Sequence, residues 1–504
     1  MSAAPVRLRL AHLAGDLAAS LAELRRDPAR VVASRARVEA ALVDGNAYYG
    51  INTGFGILAS QRISRDQLAQ LQHNLILSHA VGVGVPVPIE ITRLMLRLKI
   101  HALGLGYSGV SLGTFERLLA FDELGLVPVV PSRGSLGASG DLAPLAHLAL
   151  PLLGRGRVWD AAGRDGEPAS GALARCGLEP IGLEAKDGLA LINGTQMMSA
   201  YGAWALGRAL ELLRLVDVVA AMSLEALRGS ARPFDARVHE VRPHPGQAAV
   251  AGNVRRLLEG SEILESHRFC GRVQDPYSLR CVPQVHGASR DALGHAADVI
   301  ERELNSVTDN PLVFEDGSVI SGGNFHGQPL ALALDYAAIA LAELGSISER
   351  RTYLLLGGHD GLPLLLMRET GVNSGFMIPQ YTAAALVSEN KVLCHPASVD
   401  SIPTSLGQED HVSMGSISAL KLLDVLSNVE QVIAIELFTA AQALDFRAPL
   451  RPGRGVEVAH AALRDEVPHR DADGDFEHDL GLCAEEVRRG ALLAAVEGAI
   501  GRLA

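Results

Sequence analysis

Positive charge, cysteine and uninterrupted apolar runs are all scarce in this sequence. Lysine and arginine number 45 against 57 aspartates and glutamates, a formal net charge of -12. The chain therefore has no basic field of the kind that draws in a phosphate backbone, which argues against nucleic acid as a partner. Its five cysteines, Cys176, Cys270, Cys281, Cys394 and Cys483, are odd in number and widely spaced. No C-x-x-C pair stands ready for zinc or a dithiol, and the 17 histidines include no H-E-x-x-H. No metal is expected, and reduced thiols in the cytoplasm are the simplest reading. Apolar stretches break before the roughly 20 residues that a bilayer crossing needs. Asp335 and Glu343 interrupt the stretch 329–344, and Arg7 and Arg9 interrupt the apolar part of the N-terminus. Neither a membrane span nor a secretory signal is expected.

The remaining composition, 48% hydrophobic and 20% charged with 4% aromatic residues, is that of a folded chain rich in Ala and Leu. At 504 residues it is long enough for two or three cores or one large helical core. Apolar residues recur at helical spacing through Leu94, Leu98 and His101, through Leu206, Leu210 and Leu213, and along 330–344 and 420–437. Period-2 runs are few and short, as at 156–160 and 312–320, so an all-α, mainly helical fold is expected. Gly, Pro and charge cluster at 154–171, 242–247, 451–455 and 468–475, which read as connections between helices. The acidic patch Asp471, Asp473 and Asp475 lacks the register of a calcium loop and reads as a solvated turn.

Two motifs mislead. Gly104-Leu105-Gly106-Tyr107-Ser108-Gly109 matches the dinucleotide fingerprint G-x-G-x-x-G, but the preceding RLMLRLKIHAL reads as a helix, so a helix-ending glycine turn is the better account. Ser139 lies among small residues in GSLGASGDLAP, yet the glycines stand at the wrong spacing for the G-x-S-x-G elbow of a serine hydrolase. What Ala138-Ser139-Gly140 does suit is backbone cyclisation. The unhindered Gly140 nitrogen attacks the Ala138 carbonyl, whose oxygen leaves as water, and the Ser139 hydroxyl is lost as a second water. Glycine tolerates the compressed dihedrals, alanine is small, and serine carries a leaving group on its β-carbon. The product is an alkene conjugated to an imidazolone, which is a strong electrophile.

Long motifs place this triad in company: YGINTGFG from Tyr49, GSLGASGDLAPLAH, NGTQ from Asn193, QDPYSLRC from Gln274, TDNPL from Thr308, SGGNFHG from Ser321 and QEDHVSM from Gln408. In these the chain resembles the aromatic amino-acid ammonia-lyases and aminomutases, over about four fifths of its length. The resemblance implies a 4-methylidene-imidazole-5-one made from Ala138, Ser139 and Gly140, with no external cofactor. It implies a subunit with a smaller N-terminal region, 1–200, carrying the tyrosine loop and the triad, and a long-helix bundle with C-terminal helices, 201–504. It further implies a homotetramer whose active sites are shared between subunits.

Site residues follow from the same resemblance. Tyr49 corresponds to the catalytic base, in a loop whose glycines suit a lid, and a phenol serves as base only if its surroundings lower its pKa toward working pH. Arg280 corresponds to the two-point grip on the substrate carboxylate. Tyr277, Gln274 and Asn193 map to polar residues that line the pocket and support the prosthetic group, and Phe325 to a residue over the ring. Ser78 and His79 resemble the pair found in histidine-acting members. Glu409 stands where relatives with phenyl substrates carry an amide; a carboxylate can pair with an imidazole N–H, but facing a phenyl ring it would stay unpaired at a cost of roughly 1–3 kcal/mol. The expected reaction is loss of ammonia from L-histidine to give trans-urocanate. A tyrosine- or phenylalanine-acting lyase or aminomutase, and an inactive helical scaffold, are the alternatives. Two features depart from the family pattern: the segment from Gly357 to Leu362, and His286, where a smaller or apolar residue such as Met is common.

Overall fold

Helix-forming residues dominate the chain and the fold follows them. The structure, a computed structural model, describes residues 5–44, 46–54, 56, 61–160, 163, 166–269 and 271–504. Phe55 of the tyrosine loop and Cys270 lie outside the described residues. Among the described residues, twenty α-helices are separated by short 3-10 turns and three two-stranded antiparallel sheets, which pair Val83–Pro86 with Pro131–Arg133, Arg157–Trp159 with Gly166–Pro168, and Leu312–Val313 with Val319–Ile320. The fold is thus all-α, and the two stretches read as short strands supply two of the three sheets. The G-x-G-x-x-G run begins where the helix Ile89–Gly104 ends, as a helix-terminating turn requires.

The chain divides into two compact units. The first comprises Met1–Trp204, Ala297–Asp335 and Pro396–Leu420, and the second Ala205–Ala296, Tyr336–His395 and Lys421–Ala504. Within the first, the apolar stripe of Ile89–Gly104 buries Met95, Leu96 and Leu103, and Ser111 caps Leu112–Glu123 by accepting the Thr114 N–H. His101 is buried on the same stripe, with Nδ1 2.8 Å from the Ser20 hydroxyl. Burial lowers its pKa to about 4, so the ring is neutral.

The second unit holds most of the length of Gln196–Ala226, Val282–Leu304, Gln328–Leu355 and Gly415–Asp445. These helices carry polar groups on their buried faces, and each such group must find a partner in the interior. Glu436 accepts two hydrogen bonds from Arg351, at 2.6 and 2.8 Å, and a third from the Ser223 hydroxyl at 2.6 Å. This joins three of the helices. His286, which departs from the family pattern, stands with Nδ1 2.8 Å from Asp217, and Asp217 also accepts from Asn253 and Arg290. The departure is therefore a buried polar pair. By length and composition the helix Gln328–Leu355 could cross a membrane, but 67% of its most apolar window is buried inside the protein, as for a core helix. Asp473 accepts from the backbone N–H groups of Ser374 and Gly375, both at 2.8 Å, and Asp475 caps Phe476–Arg489. Two of the three acidic residues read as a solvated turn thus hold backbone in place.

The Arg351 and Glu436 side chains are both fully buried. Removing one partner strands the other charge without water, so Glu436→Ala should destabilise the protein by about 3–5 kcal/mol. A urea-unfolding midpoint equal to that of the unaltered protein would contradict this.

Candidate active site

The triad lies between the strand Pro131–Arg133 and the helix Leu142–Ala149. Its backbone doubles back on itself, with the Gly140 N–H donated to the Gly137 carbonyl at 3.3 Å and Ser139 in the left-handed region at φ 53°. For a serine that conformation costs on the order of 1–2 kcal/mol and persists only where neighbours enforce it. Those neighbours are visible. Asp141 donates its N–H to the Gly194 carbonyl at 2.7 Å, and a Cβ at position 140 would lie 2.1 Å from that same oxygen, so only glycine fits there. The Asp141 carboxylate accepts from the N–H groups of Met197 and Met198 at the start of Gln196–Ala226, at 2.8 and 3.1 Å, and from the Ser416 hydroxyl at 3.1 Å. Burial raises its pKa to about 7, against the pull of those hydrogen bonds.

Around the turn the first unit assembles several of the expected residues. Asn193 is buried; its side-chain N–H reaches the Ser139 carbonyl at 3.5 Å, while its own side-chain oxygen is buried with no partner among the described residues. The Asn193 backbone carbonyl accepts from Lys99 at 2.7 Å. Lys99 is buried, and burial lowers its pKa to about 8, with Asp309 acting in the opposite direction. Glu409 accepts from the Ser139 hydroxyl at 3.4 Å and from the Thr404 hydroxyl at 2.7 Å.

The Glu409 charge also bears on Tyr49 and His79. Burial raises the Tyr49 pKa above the ordinary phenol value and Glu409 adds to it, while the Gly56 N–H, donated to the phenol oxygen at 3.3 Å, acts the other way. The lowering expected of a base is therefore not found within this chain: a half-buried phenol near a carboxylate resists ionisation. Gly50 in the same loop has φ 68°, and a Cβ there would meet Leu189 at 2.2 Å, so it serves packing as well as the turn. Burial lowers the His79 pKa, so the imidazole is neutral near pH 7; its Nδ1 is 3.0 Å from the exposed Ser78 hydroxyl. Ala138 is half-buried in the turn, and Phe325 is half-buried in the loop 321–327 that leads into Gln328–Leu355.

The other three expected residues belong to the second unit. Gln274 is exposed, and Tyr277 is 70% exposed at the start of the short helix Tyr277–Arg280. The Arg280 guanidinium lies 4.4 Å from the centre of the Tyr277 ring, and its Nε donates to the Asp275 carbonyl at 3.0 Å. Sequence reasoning passed over Asp141, Lys99 and Thr404. A signal existed for Lys99, which sits four residues after Met95 and four before Leu103, on the stripe that the helix buries. Asp141 stands inside the quoted GSLGASGDLAP and could have been read as the anchor of its turn.

A sequence profile of the family described as "Aromatic amino acid lyase" matches residues 12–465. The histidine ammonia-lyase of Sorangium cellulosum is 55% identical over 487 residues, 94% of either chain. That of Gloeobacter violaceus is 55% identical over 473 residues, 93% of this chain and 92% of its own. Among solved structures, histidine ammonia-lyase from Trypanosoma cruzi superposes with a TM-score of 0.87 at 46% identity, over 94% of this chain and 89% of that one. A tyrosine aminomutase from Streptomyces globisporus reaches a TM-score of 0.91 at 36% identity, over 99% and 100%. On the extent of the profile match and on identity above one half across nearly the whole length, the chain belongs to the aromatic amino acid lyase family.

Proposed function

We propose that the chain eliminates ammonia from L-histidine to give trans-urocanate, the first step in breaking histidine down. The observation that carries the choice of substrate is the Glu409 carboxylate, within 3.4 Å of the Ser139 hydroxyl. A carboxylate there is satisfied by an imidazole N–H and left unpaired by a phenyl ring. The neutral His79 beside Ser78 and the 55% identity to histidine ammonia-lyases support the same reading.

The residues fit a 4-methylidene-imidazole-5-one built from Ala138, Ser139 and Gly140. The turn is folded back, position 140 admits no side chain, and the unpartnered Asn193 oxygen offers a hydrogen-bond acceptor beside it. When formed, that group supplies an electrophilic alkene that draws electron density from the amine and makes it a better leaving group. The other residues act on the rest of the substrate. Arg280 grips the carboxylate with the two Nη groups that its Nε contact leaves available, beside Tyr277 and Gln274. Glu409 accepts the imidazole N–H, Ser78 and His79 line that end, and Phe325 lies over the ring. Tyr49 takes the proton from the β-carbon at its phenolate oxygen. The reading further includes a homotetramer in which each active site draws on more than one chain, and a cytoplasmic setting that keeps Cys176, Cys281, Cys394 and Cys483 reduced, none of them in a disulfide among the described residues.

The TM-score of 0.91 with a tyrosine aminomutase favours a second reading, in which the product is a β-amino acid. Backbone overlap reports the shared fold, whereas the substrate is read by side chains such as Glu409, and identity is higher to the histidine lyases. Chromatography of the product from L-histidine separates the two: urocanate is expected, and a β-amino acid would refute the lyase assignment.

Ser139→Ala removes the leaving group needed for dehydration, so turnover should fall by at least roughly a thousandfold, and the intact mass should lack the loss of two waters expected of the unaltered protein. Normal turnover in that variant would end the proposal. The raised Tyr49 pKa fixes the sign of the pH dependence. The base is active only when ionised, so kcat should climb as pH rises from neutral toward that pKa and fall as pH drops, by about tenfold per unit at the limit. In Tyr49→Phe this alkaline rise should vanish along with most of the rate. A flat kcat profile from pH 7 to 10 in the unaltered enzyme would remove Tyr49 as the base. An equimolar co-assembly of Ser139→Ala and Arg280→Ala chains should recover activity that neither has alone; no recovery would count against shared sites.

A further inference from the structure

The segment from Gly357 to Leu362, which departs from the family pattern, is connected to the residues around Arg280 by a chain of contacts within the second unit. Asp360 holds a left-handed backbone at φ 52°, which is uncommon outside glycine but best tolerated by Asp and Asn. Its backbone carbonyl accepts from Arg447 Nη1 at 2.8 Å, and Arg447 is itself buried and donates from Nε to the Ala226 carbonyl at 2.7 Å. That pins the Asp360 backbone to the interior. Its carboxylate pairs with Arg272 Nη2. The other terminal nitrogen of Arg272 donates to Asp275 Oδ1 at 3.1 Å. The second oxygen of Asp275 accepts the Ser230 N–H at 2.6 Å, and the Asp275 backbone carbonyl accepts Arg280 Nε at 3.0 Å.

We propose that Asp360 is a positioning residue for the substrate carboxylate: acting through Arg272 and Asp275, it sets where the Arg280 guanidinium stands. The inference rests on the reading of Arg280 given above and adds a residue that none of the long motifs contains. Three arguments carry it. First, Arg280 spends its Nε on the peptide of Asp275, so the direction of its two Nη groups follows the placement of that one carbonyl. Second, the Asp275 side chain is only 2% exposed and is held at both oxygens, one by Ser230 and one by Arg272, so Arg272 is one of two fixed points for it. Third, the Arg272 and Asp360 side chains are 31% and 29% exposed. An ion pair as exposed as that contributes little to stability. What it does contribute is direction, since Arg272 without Asp360 keeps only the contacts of Nη1, to Asp275 at 3.1 Å and to the Leu227 carbonyl at 3.4 Å, and its Nη2 loses its partner. A two-point grip on a carboxylate is sensitive to such small displacements.

Asp360→Asn keeps a residue suited to the left-handed backbone while removing the charge. In the assembled enzyme it should raise KM for L-histidine about tenfold and leave kcat within about twofold, because only the grip on the carboxylate is altered. Two inhibitors separate positioning from a general disturbance. The Ki of imidazolepropionate, which has the carboxylate, should rise with KM, whereas that of histamine, which lacks it, should not change. In an Arg280→Lys background the Asp360 substitution should add nothing further. An unchanged imidazolepropionate Ki in Asp360→Asn, or equal weakening of histamine, overturns the positioning role while leaving Arg280 intact. An unchanged imidazolepropionate Ki in Arg280→Lys overturns the carboxylate role of Arg280 and this inference with it.

Discussion

The turn that carries Ala138, Ser139 and Gly140 depends on one buried carboxylate. Asp141 accepts two backbone N–H groups from the first turn of Gln196–Ala226 and a hydroxyl from Ser416, while its own N–H is donated to Gly194. Two segments far apart in sequence, 194–198 and the one carrying Ser416, are thereby fastened to one residue, and the strained Ser139 stands two positions before it. A helix N-terminus presents unpaired N–H groups and favours negative charge, which is why a carboxylate is accommodated there in the interior. Burial opposes this and raises the pKa to about 7. Burial is the larger effect on the charge, while the hydrogen bonds that oppose it hold the turn in place.

Buried charge serves two purposes in this protein. In the second unit Arg351 and Glu436 satisfy each other completely and join helices that are otherwise apolar. In the first unit the charges are less completely matched. Lys99 donates to a peptide carbonyl, with its pKa lowered to about 8, and Lys186 pairs with Asp309 at 2.7 Å. The Asn193 oxygen has no partner among the described residues. Incomplete satisfaction is costly in a scaffold and useful beside a reacting group, because unspent hydrogen-bonding capacity is then already oriented before the substrate arrives.

Much of the site was legible because its chemistry needs particular residue types in a row. A small residue, a serine and a glycine in a row suit cyclisation and dehydration, and the turn at Gly140 admits no Cβ. Glu409 was read from the resemblance together with its charge, and it stands at Ser139. Lys99 was passed over because a lysine in a helical stretch is ordinarily a solvated one, and only the neighbouring Met95 and Leu103 mark its face as buried. The ionisation of Tyr49 was expected to be eased, and it is hindered: a pKa depends on desolvation and on a carboxylate 360 positions away in the chain, neither of which a local motif encodes. His286, which looked like a disturbance, is matched by Asp217 in a distant helix.

By itself the sequence determined the helical class, the cyclising triad and the residue types at the reacting centre, because periodicity and covalent chemistry are local properties. The tertiary structure decided which of those residues meet. It set Ser139 beside Asn193 and Glu409, placed Lys99 beneath Asn193, and ran a chain of hydrogen bonds from Asp360 to Arg280. Hydrogen bonds and electrostatic fields act over a few ångströms of space irrespective of sequence separation, so only the folded chain could reveal them.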